Sequence, residues 1–207
     1  PYVAFADDDS WWDAGALAAA VDLLQADASL ALVTGEVRVM PDDDLDPVSA
    51  AQAAGRFDVR WQETPVGRRA VAGFLACAAV VDRARFLAAG GFPVELGIGG
   101  EEEPLALALA TTGWGLAYAP EAVVRHAPSA SRDPRARAGR LARNDVLTAV
   151  VHHRPRTVAG RGARLVERIA RRELAPSVLA ATTVGAPWAL AARRVASPAT
   201  LDRFARI

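Results

Sequence analysis

Three consecutive carboxylates, Asp7-Asp8-Asp9, directly follow an apolar run at residues 2–6. A short apolar run predicts a buried strand, and its abrupt acidic ending predicts a strand end that opens into a polar site. Because side chains alternate along an extended chain, Asp7 and Asp9 can face one side while Asp8 faces the other. Oxygen ligands of this type favour Mg²⁺ or Mn²⁺. Taken locally, the motif is either a metal site or an acidic cap for the helix expected after Asp13.

A second acidic cluster, Glu101-Glu102-Glu103, follows a glycine-rich stretch and directly precedes Pro104. Proline in the first helical turn and acidic residues near a helix N-terminus both favour helix formation, so helix stability alone can account for these three glutamates. His126 follows an apolar strand candidate. A histidine in that position is more often structural than a metal ligand.

The charge of the chain is unevenly distributed. All 24 basic residues are arginine; residues 1–131 hold 8 of them with 19 acidic residues, whereas residues 132–207 hold 16 with 5 acidic residues. We therefore expect two domains, 1–131 and an arginine-rich helical extension, 132–207. The extension would pair with the acidic half or contact a membrane surface. Its few aromatic residues argue against nucleic-acid binding.

The 207 residues, of which 52% are hydrophobic, predict a folded α/β protein. The single cysteine, Cys77, lies in an apolar run and is expected to be buried and inert, as in a reducing compartment. Residues 62–69 are predicted to form a polar loop. Apolar runs and helical periodicity predict strands at 2–6, 30–34, 36–39, 74–81, 116–118 and 122–124, and helices at 14–26, 48–60, 83–89, 101–113, 135–153, 158–172 and 176–194.

In order, the chain shows an apolar strand, Asp-Asp-Asp, a strand, Gly-Gly-Phe, Gly-Glu-Glu-Glu-Pro-Leu, Gly-Trp, Pro-Glu-Ala-Val-Val and His. This order, over roughly residues 2–150, resembles the second half of a family-2 glycosyltransferase with the GT-A fold. The resemblance implies a Rossmann-related mixed sheet flanked by helices. In that family a nucleotide-binding half precedes the aspartate motif, so we expect the chain to be truncated at its N-terminus and to bind nucleotide sugars poorly by itself.

The resemblance also implies roles for individual residues. The family's aspartate motif holds the metal that bridges the donor diphosphate, and the family's base follows a glutamate in the pattern Gly-Glu-Asp. Glutamate replaces aspartate at that position here, which moves the carboxylate by about 1.5 Å. The implied residues are Asp7, Asp9 and His126 for Mn²⁺ or Mg²⁺; Asp8, Phe74 and Leu75 for the donor; Glu102 as the base, with Glu101 and Glu103 as alternatives; and Gly100, Glu103 and Trp114 for the acceptor.

The implied activity is that of an inverting hexosyl- or deoxyhexosyltransferase. It would move a sugar from a nucleoside diphosphate sugar to a hydroxyl of a carbohydrate, lipid-linked or small-molecule acceptor. Bacterial cell-wall or polysaccharide biosynthesis is the implied setting, in the cytoplasm or at the inner face of the membrane. The alternative is a non-catalytic relative that uses the same fold for binding or assembly.

Overall fold

The computed structural model describes residues 1–56, 58–63, 69–128 and 133–204. The chain divides into two compact units: unit 1 contains Pro1–Gly91, Leu105–Ala130 and Pro198–Ile207, and unit 2 contains Phe92–Pro104 and Ser131–Ser197. The domain boundary expected after residue 131 falls among residues 129–132, outside the described ranges. Residues 64–68 of the predicted polar loop lie outside them as well.

A mixed sheet forms the centre of unit 1. From one edge to the other its order is β1-β7-β3-β8-β6-β5, with β2 paired to β8 and β4 paired to β3. The central pair, β3 and β8, is parallel, and the other pairings are antiparallel. The strands are β1 (Tyr2–Ala4), β2 (Ser10–Trp12), β3 (Leu30–Val39), β4 (Asp44–Leu45), β5 (Asp58–Glu63), β6 (Arg69–Val71), β7 (Ala79–Asp82) and β8 (Gly115–His126).

Three unit 1 helices, α1 (Ala16–Ala26), α2 (Pro47–Ala53) and α3 (Arg83–Ala88), pack against this sheet, which confirms the predicted α/β class. The first helix buries Ala16, Ala20 and Leu24, one residue per turn, against the central strands. The other helices are α4 (Glu102–Thr111), α5 (Pro134–His152), α6 (Pro155–Ala170), α7 (Ser177–Ala191) and α8 (Pro198–Phe204). The predicted burial of Cys77 is also confirmed.

The prediction of two short segments on either side of Pro120 is wrong, because β8 runs through that proline as one strand. The pairing of β8 with β3 passes from Gly35↔Ala119 to Glu36↔Val123, so residues 120–122 bulge out of register. A bulge tolerates a proline that cannot donate a ladder hydrogen bond. The bulge also brings the carbonyl of Ala122 against Gly35, where a Cβ would lie only 2.0 Å from that oxygen.

Two further predictions are corrected. The helix expected over 48–60 ends at Ala53, and the chain turns at Gly55 (φ 72°) into β5. The strand expected over 74–81 begins only at Ala79, after one turn of 3₁₀ helix at Ala76–Ala78. An apolar run alone does not distinguish a strand from a buried helical turn, which is why the second prediction failed.

Unit 2 contains α5, α6 and α7, close to the three helices predicted. The helix α8, which was not predicted, belongs to unit 1. A buried cluster of Leu96, Leu147, Val151 and Ala189 joins α5 to α7. The two helices approach closely at Gly185, where a Cβ would lie 2.6 Å from Leu147 Cδ1. In the described part of the chain, the structure contains no helix with both the length and the apolar character needed to cross a membrane.

We expect Gly185→Ala to destabilise unit 2, because overpacking a well-packed contact costs about 1–3 kcal/mol. The matched control is Gly160→Ala on α6, where an added Cβ meets no atom within 4 Å. There the better helix propensity of alanine should raise the free energy of unfolding by about 0.5–1 kcal/mol. Urea denaturation of both variants measures the difference, and equal stabilisation by the two substitutions would contradict the close approach of α5 and α7.

Candidate functional site

The acidic turn between β1 and β2 is fixed by the residues on either side of it. The backbone N–H of Ser10 donates to the carbonyl of Asp7 at 3.1 Å, and the N–H of Asp7 donates to Ser10 Oγ at 2.7 Å. The indole Nε1 of Trp12 donates to the carbonyl of Phe5 at 3.1 Å. These bonds hold the backbone from which the three aspartates project.

The last residue of β8, His126, lies beside this turn because of strand pairing. His126 is opposite Ser10 in the antiparallel β2–β8 pair and opposite Val39 in the parallel β3–β8 pair. Immediately after it, the N–H of Ala127 donates to the carbonyl of Asp9 at 2.8 Å. Two neighbouring strands therefore determine where the imidazole is placed relative to the aspartates.

The structure brings Asp7, Asp9 and His126 together. Each offers one ligand atom, and these atoms lie within 4.8 Å of one another. His126 Nε2 is 3.3 Å from Asp9 Oδ1; it is buried and makes no hydrogen bond among the described residues. A buried imidazole nitrogen facing two carboxylates fits a divalent cation, and this mixed nitrogen and oxygen set suits Mn²⁺ at least as well as Mg²⁺.

The aspartate motif does not cap the following helix. Gly15 occupies the N-cap of α1, and among the described side chains none caps that helix. Asp13 is instead bound by Arg125, whose Nε and Nη2 donate to its carboxylate at 2.9–3.2 Å. Arg125 also pairs with Asp43. Arg125 thus binds two carboxylates outside the group formed by Asp7, Asp9 and His126.

The other residues of unit 1 that were implied for the donor or acceptor lie in different surroundings. Asp8 is exposed and is not part of the three-residue group. Phe74 is buried, and Leu75 packs against the cluster that contains Val37. The ring of Trp114 is covered by the guanidinium of Arg85, whose Cζ lies 3.9 Å from the ring centroid. One face of Trp114 is therefore occupied by a cation.

The residues before Glu101 form a tight glycine segment that α5 holds in place. Gly97, Gly99 and Gly100 all have positive φ, at 64°, 106° and 85°. The fully buried amide of Asn144 donates to the carbonyl of Leu96 at 2.9 Å and to that of Gly99 at 2.7 Å. The N–H of Gly99 in turn donates to the carboxylate of Glu101.

Glu103 is bound by two cationic or titratable side chains of unit 2. Arg161 donates from Nη1 and Nη2 to its two oxygens at 3.0 and 2.8 Å, and His153 Nε2 lies 3.0 Å from Oε1. Burial alone would raise the pKa of Glu103, but these hydrogen bonds and charges lower it to about 2. Glu103 is therefore held as a carboxylate, while Glu102 is the first residue of α4 and is half-buried.

Sequence reasoning missed Asn144, His153 and Arg161. His153 and Arg161 are 50 and 58 residues from Glu103, so local spacing carries no information about these contacts. Asn144 gave a weak signal, since it is the only asparagine of the chain and lies in an otherwise helix-favouring stretch. A polar amide in such a place is best explained by hydrogen bonds that it makes elsewhere.

Comparisons with known proteins agree with this architecture. The model of the family described as "Glycosyltransferase like family 2" matches residues 1–159. The fold is similar to that of the mannosyltransferase PcManGT from Pyrobaculum calidifontis, solved in complex with GDP-Man and Mn²⁺, with a TM-score of 0.50 and 23% sequence identity. That match covers 99% of this chain and 54% of the mannosyltransferase, so the chain spans about half of its length. No curated protein matches the sequence.

At this identity, the structural similarity establishes the fold alone. The mixed sheet flanked by helices is that of a GT-A glycosyltransferase, as the resemblance in the sequence implied.

The network around Glu103 predicts a defined pH dependence of stability. Because the pKa of Glu103 is lowered to about 2, its stabilising effect is complete above the unfolded value near 4.5 and is lost as the pH falls toward 2. Glu103→Gln should therefore lower the free energy of unfolding at pH 7 by about 1–2 kcal/mol, after allowance for the third of the side chain that is exposed.

The deficit of Glu103→Gln relative to the parent should shrink between pH 5 and pH 2 in urea denaturation series. Glu167→Gln is the control, because Glu167 on α6 forms an exposed pair with Arg171, the residue that follows this helix, worth at most about 0.5 kcal/mol. A deficit that stays constant down to pH 2, or one no larger than that of Glu167→Gln, would show that the Glu103 network does not contribute as described.

Proposed function

Because this chain belongs to glycosyltransferase-like family 2, we propose that it transfers a sugar from a nucleoside diphosphate sugar to an acceptor hydroxyl with the help of a divalent metal ion. The observation that carries this proposal is the convergence of Asp7, Asp9 and His126 at the ends of paired strands. The mannosyltransferase of similar fold was solved with GDP-Man and Mn²⁺, which supports a donor and a metal of these classes.

Asp7, Asp9 and His126 would hold the metal ion in this scheme. When bound, the ion offsets the negative charge that develops on the leaving diphosphate. The strand pairing that places His126 beside Asp9 fixes these groups before any donor arrives, so the site needs little rearrangement to bind. The donor contacts proposed from the sequence are Asp8, Phe74 and Leu75, of which Phe74 is the most deeply buried.

Glu102 is the residue that we assign as the general base. Glu103 is a poor candidate, since His153 and Arg161 hold its pKa at about 2, far from the range in which a base works best near neutral pH. Glu101 accepts the N–H of Gly99 and so helps to fix the glycine segment. Glu102 occupies the position that the resemblance gives to the base, and Glu101 is the alternative.

The chemistry is a single displacement with inversion. Glu102 takes the proton of the acceptor hydroxyl as its oxygen forms a bond to the anomeric carbon, and the bond from that carbon to the diphosphate oxygen breaks. Gly100, Glu103 and Trp114 remain the proposed acceptor contacts. Glu103, tied to α5 and α6 through His153 and Arg161, would also hold the first turn of α4 in place.

Mn²⁺ binding tests the metal part of the proposal without a sugar donor. In titrations followed by the electron paramagnetic resonance signal of free Mn²⁺, the parent chain should bind the ion. Asp9→Asn and His126→Ala should each weaken binding at least tenfold, since loss of even an outer-shell partner of a metal ligand typically costs about 10–100-fold in affinity. The control is Asp22→Asn, an exposed carboxylate on α1, which should leave the affinity unchanged. Equal affinity of all variants, or no binding by the parent, would overturn the metal assignment.

The base assignment is tested with a panel of nucleoside diphosphate sugars that includes GDP-mannose, by measuring the release of nucleoside diphosphate. High donor concentrations are used, because the chain is expected to bind nucleotide sugars poorly by itself. Glu102→Gln should lower kcat about 10²–10⁴-fold with little change in the donor KM, because only proton transfer is removed. Glu101→Gln should retain most of kcat. The reverse result would move the base to Glu101, and full activity of both variants would show that neither carboxylate acts as the base.

A further inference from the structure

The side of α7 that is exposed to solvent is apolar. The helix buries Thr182, Gly185 and Ala189. Its opposite side exposes Leu179 by 46%, Val184 by 81% and Leu190 by 62%. A surface helix normally presents charged or polar residues to water, but the sequence has no charged residue between Leu174 and Ala192. We call the surface formed by Leu179, Val184 and Leu190 the α7 face.

A cleft of about 690 Å³ lies against the first turns of the same helix. Its floor is apolar, and its rim carries four arginines together with the carboxylates of Asp133 and Glu173. Among the described residues, Arg135, Arg140 and Arg172 make no side-chain hydrogen bond or ion pair, whereas Arg143 donates to Asn144 Oδ1 and the nearby Arg168 and Arg171 are paired with Glu173 and Glu167. The floor includes Ile169, Leu174 and Val178, and the rim includes Arg135, Arg140 and Arg172.

The α7 face adjoins this cleft. Ala181 of α7 lines the cleft, and Val184 lies three residues further along the helix. At about 100° per residue, Val184 is about 60° around the helix from Ala181. Leu179 and Leu190 lie about 160° and about 180° around the helix from Ala181. Val184 is therefore the part of the α7 face that lies beside the cleft, and the two leucines lie further around the exposed side of the helix.

We propose that the α7 face and the arginine-rimmed cleft together bind the surface of an anionic phospholipid bilayer. Headgroup phosphates match the unpaired guanidinium groups of Arg135, Arg140 and Arg172, and the apolar side chains of α7 match the region where headgroups meet acyl chains. The 15 residues of α7 extend about 22 Å, less than the roughly 30 Å of a hydrocarbon core, so the helix lies in the interface. This inference does not depend on the proposed sugar transfer.

The combination of features favours a lipid surface over a protein partner. An apolar face alone would suit either occupant. Three unpaired arginines beside it provide charge complementarity to phosphate, and each basic group near an anionic membrane contributes attraction that weakens as salt screens it. Binding should therefore require both the apolar residues and the arginines, and it should be sensitive to salt.

The test is flotation of the full chain with phosphatidylcholine vesicles, with and without 30% phosphatidylglycerol. We expect binding to the anionic vesicles, little binding to the neutral ones, and weaker binding at high salt. Arg140→Ala should weaken the partition constant about fivefold, the effect of one basic charge near the surface. Val184→Glu should weaken it at least tenfold, because it places a charge in the apolar face.

Matched controls lie in unit 1. Arg83→Ala removes an exposed arginine and Leu87→Glu adds a charge at a leucine that is 56% exposed; both should bind as the parent does. Circular dichroism verifies that each variant is folded. Failure of the parent to bind anionic vesicles, or equal losses in the control variants, would overturn the proposal. Size-exclusion chromatography with light scattering gives a further test. If the parent is a dimer that Val184→Glu converts to a monomer, a second copy of the chain covers the α7 face and the proposal is overturned.

Discussion

The pairing of the end of β8 with both β2 and β3 is the constraint on which unit 1 depends. The partners of His126, Ser10 on β2 and Val39 on β3, are 116 and 87 residues away along the chain. The contact of Arg125 with Asp13 joins residues separated by 112 positions. Backbone hydrogen bonds rather than flexible side chains thus set the position of His126 relative to Asp9. A site built on strand ends is held more rigidly than one built on a free loop, and preorganisation of this kind favours metal binding.

This pairing depends on a local irregularity in β8. The strand must pass Pro120, which cannot donate a ladder hydrogen bond, and still bring His126 into register with Val39. The bulge at residues 120–122 accommodates the proline and restores the register. It also places the carbonyl of Ala122 against β3 at Gly35, where a larger residue would clash with that oxygen. Gly35 and Pro120, far apart in sequence, are thus both explained by the bulge in β8. The residues whose pairing depends on that bulge, Val39 and His126, lie four and six positions further along β3 and β8.

The sequence was sufficient for those features that depend on neighbours along the chain. Helical periodicity located α1, α4 and α5, and the abrupt change from apolar to acidic residues located the turn at Asp7. Features set by distant contacts could not be predicted in this way. The continuity of β8 depends on its register with β3, and the low pKa of Glu103 depends on partners 50 and 58 residues away.

The arginines of unit 2 show why net charge alone is an incomplete guide to function. The sequence predicted that the arginine-rich extension, residues 132–207, pairs with the acidic half of the chain or binds an anionic partner. Within unit 2, Arg161 binds both Glu103 and Asp145, so it neutralises carboxylates of the unit's own helices. Such buried or half-buried pairs contribute to folding, and their charges are not available to a ligand. Arg135, Arg140 and Arg172 differ because they form no ion pair with any described residue, although Asp133 and Glu173 line the same cleft. An exposed guanidinium without an ion pair is free to exchange its water for a phosphate.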